Sequence, residues 1–92
     1  MDLNPGQGLF GISVAAELTG VNAQMLRTYE ARGLIDPHRT DGGTRRYSQD
    51  DIARVDRITS LLADGLNIAG IAQVLALEAE VARLQERLDQ RR

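Results

Sequence analysis

Apolar residues fall three and four apart along most of this chain, and short glycine-containing breaks divide them into blocks. That interval is the helical period. In the first block Ser13 is a capping residue for a helix over 14–19, and Gly20 is its left-handed stop. Val14 and Leu18, four apart, share its inner face, and Val21 points into the same core. Asn22 caps a second helix over 23–32, closed by Gly33. Leu26 and Tyr29 face inward there, while Gln24, Arg27, Thr28 and Ala31 take the other side. Two short helices joined by Gly20-Val21-Asn22 form a helix-turn-helix pattern.

The period then changes. Leu34-Ile35 opens an extended stretch, and Pro37 bars a helix. Asp41-Gly42-Gly43, between Arg39-Thr40 and residues 44–47, signals a hairpin, because tight turns need positive φ. Strand alternation puts Arg45 and Tyr47 on one face and Thr44 and Arg46 on the other. Ser48 caps a third helix with Asp50 and Asp51 in its first turn, where carboxylates are favourable. Its apolar stripe is Ile52, Val55, Ile58, Leu61 and Leu62, and Gly65 ends it. Asn67 caps a fourth helix with Ile68, Ile71, Val74 and Leu75 inward. Beyond it, Val74, Leu77, Val81, Leu84 and Leu88 make an a/d seam of two heptads among Glu, Gln, Arg and Ala. So narrow a stripe predicts pairing with a second chain.

These elements predict a mainly α fold: a winged helix-turn-helix with a small β-hairpin wing and a C-terminal dimerisation helix. Residues 1–11, with Asn4-Pro5-Gly6 and Gly8, read as a flexible N-terminal arm, with order beginning near Phe10 or Ile12. Residues 12–76 are expected to form the winged helix-turn-helix domain and 77–92 the coiled-coil dimerisation helix.

Composition narrows the chemistry. The 92 residues suit one domain. Cysteine is absent and His38 is the single histidine, which removes disulfides, thiolate sites and multi-histidine metal sites. No nucleophile–base pair is visible, so no catalytic residue, metal or cofactor is expected. The apolar runs are far too short for a bilayer, and the N-terminus has neither the basic region nor the apolar core of a signal peptide, so a cytoplasmic protein is expected.

The net charge of −2 speaks at first against a polyanion partner. Its distribution reverses that reading. Residues 12–47 hold five arginines against four acids, whereas residues 48–80 hold two against six. All 11 basic residues are arginine.

Several segments together resemble the MerR family of transcriptional regulators. Residues 12–21, Ile-Ser-Val-Ala-Ala-Glu-Leu-Thr-Gly-Val, are similar to the family's first helix and turn. Leu26-Arg27-Thr28-Tyr29-Glu30, with Gly33-Leu34-Ile35 after it, is similar to its L-R-Y-Y-E-x-x-G-L-[IL] signature. Arg39 and then Gly43-Thr44-Arg45-Arg46-Tyr47-Ser48 resemble its wing. Met25 and Thr28 depart from the usual pattern, Thr28 standing for the first tyrosine of a pair. The L-R-T-Y-E helix, the Arg39-Thr40 wing and residues 67–71 resemble the actinobacterial heat-shock repressor (HspR-like) branch. That branch has a longer C-terminal tail and works with a chaperone co-repressor.

The resemblance implies a dimeric, sequence-specific regulator of transcription, most simply a repressor, associated with the nucleoid and meeting double-stranded DNA. A chaperone or RNA polymerase is the implied co-regulator. In a helix-turn-helix the second helix enters the major groove with its N-terminal residues at the base edges. Asn22, Gln24, Met25 and Thr28 hold those places, and Gln24 and Thr28 are the expected base readers. The resemblance gives Arg27 a backbone-clamping role. Met25 either touches a thymine methyl or packs on the first helix. Arg39 and Arg45 are expected to grip phosphates, which fixes register rather than sequence. Tyr47 either donates to a phosphate or buttresses the wing from the core. Arg46, on the opposite face, is expected to pair with Glu30 or Asp51. The expected dimer seam is Val74, Leu77, Val81, Leu84 and Leu88, and the resemblance implies that it is antiparallel. A DNA-bending, excisionase-like protein and a coiled-coil interaction adaptor are the alternatives. The two helices after the wing count against the former and the arginine-bearing wing against the latter.

Overall fold

The computed structural model describes residues 4–91. Four helices and a two-stranded ribbon follow in the order α1 (Ile12–Thr19), α2 (Ala23–Ala31), β1 (His38–Arg39), β2 (Arg45–Arg46), α3 (Gln49–Ala63) and α4 (Ile68–Gln90). Two compact units divide between Thr59 and Ser60, within α3.

In the first unit, the start of α1 differs from expectation. Its N-cap is Gly11, not Ser13, and Gly11 makes no side-chain cap bond. The cause lies upstream. Phe10 bridges Tyr47 in antiparallel fashion, with Tyr47 N donating to the Phe10 carbonyl at 2.7 Å and Phe10 N donating back at 3.0 Å. The chain therefore leaves an extended segment at Gly11 and enters the helix at once. That segment was expected to be a free arm, yet Asp50 N also donates to the Pro5 carbonyl at 3.0 Å. The bridge needs a close approach: a Cβ on Gly8 would lie 2.9 Å from the Arg46 Cβ. Residues 1–3 of the expected arm lie outside the described residues.

The buried face of α1 also differs. Ala15 is the buried residue, and Val14 and Leu18 are 45% and 54% exposed. Successive residues are ~100° apart around a helix. With Ala15 on the buried side, its neighbour Val14 is turned outward.

The junctions follow the expected chemistry. Gly20 is left-handed and caps α1, and Asn22 Oδ1 accepts from Met25 N at 2.8 Å. Gly33, at φ 75°, closes α2 one residue earlier than expected, after Ala31, with Arg32 as the cap. Gly33 N donates to the Glu30 carbonyl and Leu34 N to the Tyr29 carbonyl, each at 2.9 Å. This paired closure requires a left-handed residue, which glycine adopts without penalty. The reversal directs Leu34 and Ile35 into the core, where they join Leu26, Tyr29, Tyr47, Val55 and Ile58 as buried residues of this unit.

The ribbon pairs His38 with Arg46 and Arg39 with Arg45. Its turn is closed by Thr40 N to the Thr44 carbonyl and Gly43 N to the Thr40 carbonyl, both 2.8 Å. Ser48 then begins α3 in a reciprocal cap: Asp51 N donates to Ser48 Oγ at 2.9 Å, and Ser48 N to Asp51 Oδ2 at 2.8 Å.

In the second unit Leu61, Ile71 and Leu75 are buried, whereas Leu62, expected in the apolar stripe, is 38% exposed. Asn67 caps α4 by accepting from Gly70 N at 2.8 Å. The fourth helix and the heptad segment are one uninterrupted helix of 23 residues. No helix among the described residues is long and apolar enough to cross a membrane.

Candidate nucleic-acid interface

The first turn and outer side of α2 carry the expected base readers. Asn22 spends its side-chain oxygen on the cap, which leaves its amide N–H groups outward. Gln24 and Arg27 are exposed and make no hydrogen bond or ion pair among the described residues through their side chains. Both remain available to a partner. Thr28 is half-buried, and its hydroxyl donates to the Gln24 carbonyl at 3.1 Å, leaving its lone pairs to accept. Met25 is 42% exposed, so core packing absorbs only part of it.

The wing holds its arginines in a way that strand alternation alone did not suggest. Residues directly opposite in an antiparallel pair share a face, and like charges there repel. Arg39 and Arg45 are such a pair. Glu30, in the last turn of α2, lies between them: Arg45 Nε donates to Oε1 at 2.5 Å and Arg39 Nη2 to Oε2 at 2.8 Å. Arg39 Nη1 also reaches the Gly43 carbonyl at 3.3 Å. Partial burial acts to raise the Glu30 pKa, but the hydrogen bonds and charges of Arg45 and Arg39 outweigh it, so the pKa lies below its usual 4.5. The second helix and the wing are thus tied by one carboxylate, within one unit.

Arg46 does not make the pairing expected of it. Glu30 is taken by the other two arginines, and Asp51 is spent on the α3 cap. Arg46 and its cross-strand partner His38 instead line an open polar cleft with Asp36, Ser48 and Asp51. Tyr47 is fully buried, and its hydroxyl has no hydrogen-bond partner among the described residues. Burial raises its pKa, against the opposing charge of Arg45. In this conformation Tyr47 buttresses the wing from the core and presents no hydroxyl to a phosphate.

Glu30 is the residue that sequence reasoning misplaced. Its signal was available: a carboxylate at the end of the helix that leads into a ribbon whose register opposes two arginines. What was missing was the register.

The heptad positions of α4 stand apart from this chemistry. Leu77, Val81, Leu84 and Leu88 are 45–64% exposed, and Val74 is half-buried. Val74, Leu77, Val81 and Ala82 line a shallow apolar groove along the helix.

A short helix pair with a left-handed turn, followed by an arginine-bearing ribbon, defines a winged helix-turn-helix protein. A family model described as MerR HTH family regulatory protein matches residues 10–78, and the chain belongs to that family. It is 44% identical over 87 residues to a heat shock protein, HspR, of Streptomyces coelicolor, a match that covers 94% of this chain and 58% of that protein. The chain thus spans little more than half of that relative. It is 38% identical over 81 residues to the transcriptional regulator GlnR of Bacillus anthracis, covering 85% of this chain and 63% of GlnR. Among solved structures, that of HiNmlR, a MerR family regulator lacking the sensor domain and bound to promoter DNA, superposes with a TM-score of 0.67 at 23% identity, over 87% of this chain and 78% of that one. These relatives are named as regulators or as a heat shock protein, none as an enzyme.

Proposed function

We propose that the protein is a sequence-specific, dimeric transcriptional regulator acting as a repressor on an inverted-repeat operator. The observation that carries this reading is the outward, unpaired set on α2, Gln24 and Arg27, presented by the same unit as a wing that bears Arg39 and Arg45. Gln24 reads a base edge, as its amide matches the N6 and N7 of adenine. Asn22, Met25 and Thr28 complete the groove-facing set. Arg27, Arg39 and Arg45 hold phosphates and set the register. The DNA-bound HiNmlR shares the fold, which supports this use of it.

The α4 seam supplies the dimer. An antiparallel register with Val81 opposite Leu84 of the partner subunit also sets Leu77 opposite the partner's Leu88. It places Glu80 near the partner's Arg87, twice by symmetry. A parallel register sets Glu80 beside a glutamine and forgoes those pairs, so charge favours the antiparallel form. Two-fold symmetry then dictates an inverted repeat. The dimer works in the cytoplasm, at the nucleoid, and a chaperone or RNA polymerase acts as its co-regulator.

Selection of binding sites from random duplex DNA, followed by a salt titration, tests the proposal. An enriched inverted repeat whose affinity falls steeply with salt supports it; no enrichment at ~50 mM salt, where phosphate contacts are strong, refutes it.

A further inference from the structure

The tie between α2 and the wing carries a consequence for how DNA is held. We infer that Glu30 is a positioning residue: it aims the guanidinium groups of Arg39 and Arg45 by clamping both to the end of the recognition helix. The inference rests on the nucleic-acid reading above. Glu30 touches both strands of the wing at once, through Oε1 to Arg45 and Oε2 to Arg39. Without an acid between them, two arginines directly opposite on a two-stranded ribbon repel and splay. With it, they share one face and a fixed direction.

The clamp leaves donors to spare. A guanidinium has five N–H groups in a planar fork. Arg45 commits its Nε to Glu30, and its Nη1 and Nη2 edge meets no acceptor among the described residues. Arg39 commits Nη2 to Glu30 and Nη1 to the Gly43 carbonyl, and keeps its Nε. The side chains remain 27% and 46% exposed, respectively. A phosphate therefore docks on the free edges without displacing the carboxylate. Glu30 itself is only 19% exposed, which keeps its charge behind the arginines rather than in front of them. The arrangement also links the two DNA-contacting elements: a wing held to α2 sets its phosphate contacts in register with the base contacts of Gln24.

The opposite role for Glu30 is that of an internal competitor, which occupies the arginines until a phosphate replaces it. The two roles predict opposite signs. Glu30→Gln removes a negative charge from a DNA-facing surface, and simple electrostatics then predicts tighter binding. Positioning predicts weaker binding. The experiment titrates the full chain with a mixed-sequence duplex of about 30 base pairs, roughly three helical turns, and with a duplex recovered from random selection. Glu30→Gln is expected to weaken both by about tenfold and to flatten the salt slope by about one phosphate contact. In a chain that already carries Arg39→Ala and Arg45→Ala, it should change nothing further.

Tighter or unchanged binding by Glu30→Gln overturns the inference. So does an equal loss in the background without the two arginines, since that outcome marks a general effect on folding. If the wild-type chain binds neither duplex, the nucleic-acid reading fails and the inference falls with it. If the wild type binds and only the Glu30→Gln loss is missing, the inference fails alone.

Discussion

The α2–wing surface and the α4 seam are both open to solvent, yet they are finished to different degrees. On the first, the polar groups answer one another inside a single chain. Asn22 caps its own helix, Glu30 holds two arginines, and Asp51 returns the bond of Ser48. What remains outward is a small number of donors with defined directions. On the seam nothing answers the leucines. Leu77 and Leu88 are exposed by more than half, and apolar surface has no direction to offer. Burying one such side chain is worth ~1.5–3 kcal/mol, and only another apolar surface collects it. A polar surface becomes specific by spending most of its groups internally and aiming the rest. An apolar stripe becomes useful only when a second chain covers it.

A charge placed in the seam removes the apolar surface that a second chain would cover. Leu84→Asp should give a monomer by sedimentation and weaken binding to an inverted repeat by ~10²-fold or more, because the second half-site loses its linkage. A dimer that survives the substitution would mean that α4 does not supply the interface. Next in size is Gln24→Ala, which should relax preference at one base pair by ~1–3 kcal/mol in a competition assay. Arg27→Ala should instead weaken all sequences alike and lower the salt slope by about one contact. Equal behaviour of the two variants would erase the division between reading and gripping.

A smaller effect concerns Tyr47. Its buried hydroxyl has no partner among the described residues, so Tyr47→Phe should leave DNA affinity unchanged and raise stability by up to ~1 kcal/mol in chemical denaturation. Loss of affinity would show that the hydroxyl turns outward to DNA. The smallest effect is that of pH. The folded pKa of Glu30 lies below its usual value, so its ion pairs stabilise the fold fully above pH 4.5 and lose that contribution as pH falls through the lowered value. The stability difference between wild type and Glu30→Gln should therefore shrink below pH 4.5 and stay constant above it.

Much of this architecture is legible along the chain because it depends on neighbours in sequence. Asn22 and Asn67 cap helices through an amide three residues on, and Gly33 ends α2 through its own backbone freedom. The heptad seam is a local period as well. Three features were not legible. Val14 and Leu18 have a helical spacing that fits a buried face, yet Ala15 is the buried residue of α1. The Pro5–Phe10 segment, rich in turn residues, reads as loose, yet it supplies backbone bonds to Tyr47 and Asp50. Arg39 and Arg45 read as free cations, yet they share one carboxylate.

Local chemistry along the chain is enough to place the caps at Asn22, Ser48 and Asn67, the Gly42-Gly43 turn and the apolar stripe of α4, because each follows from contacts within about one helical turn or one hairpin. The tertiary structure decided which face of α1 is buried, what the N-terminal segment pairs with, and which acid holds which arginine. These depend on strand register and on the rotation of one helix against another. Both are set by the packing of residues far apart in the chain, where a shift of one position moves a side chain to the other face.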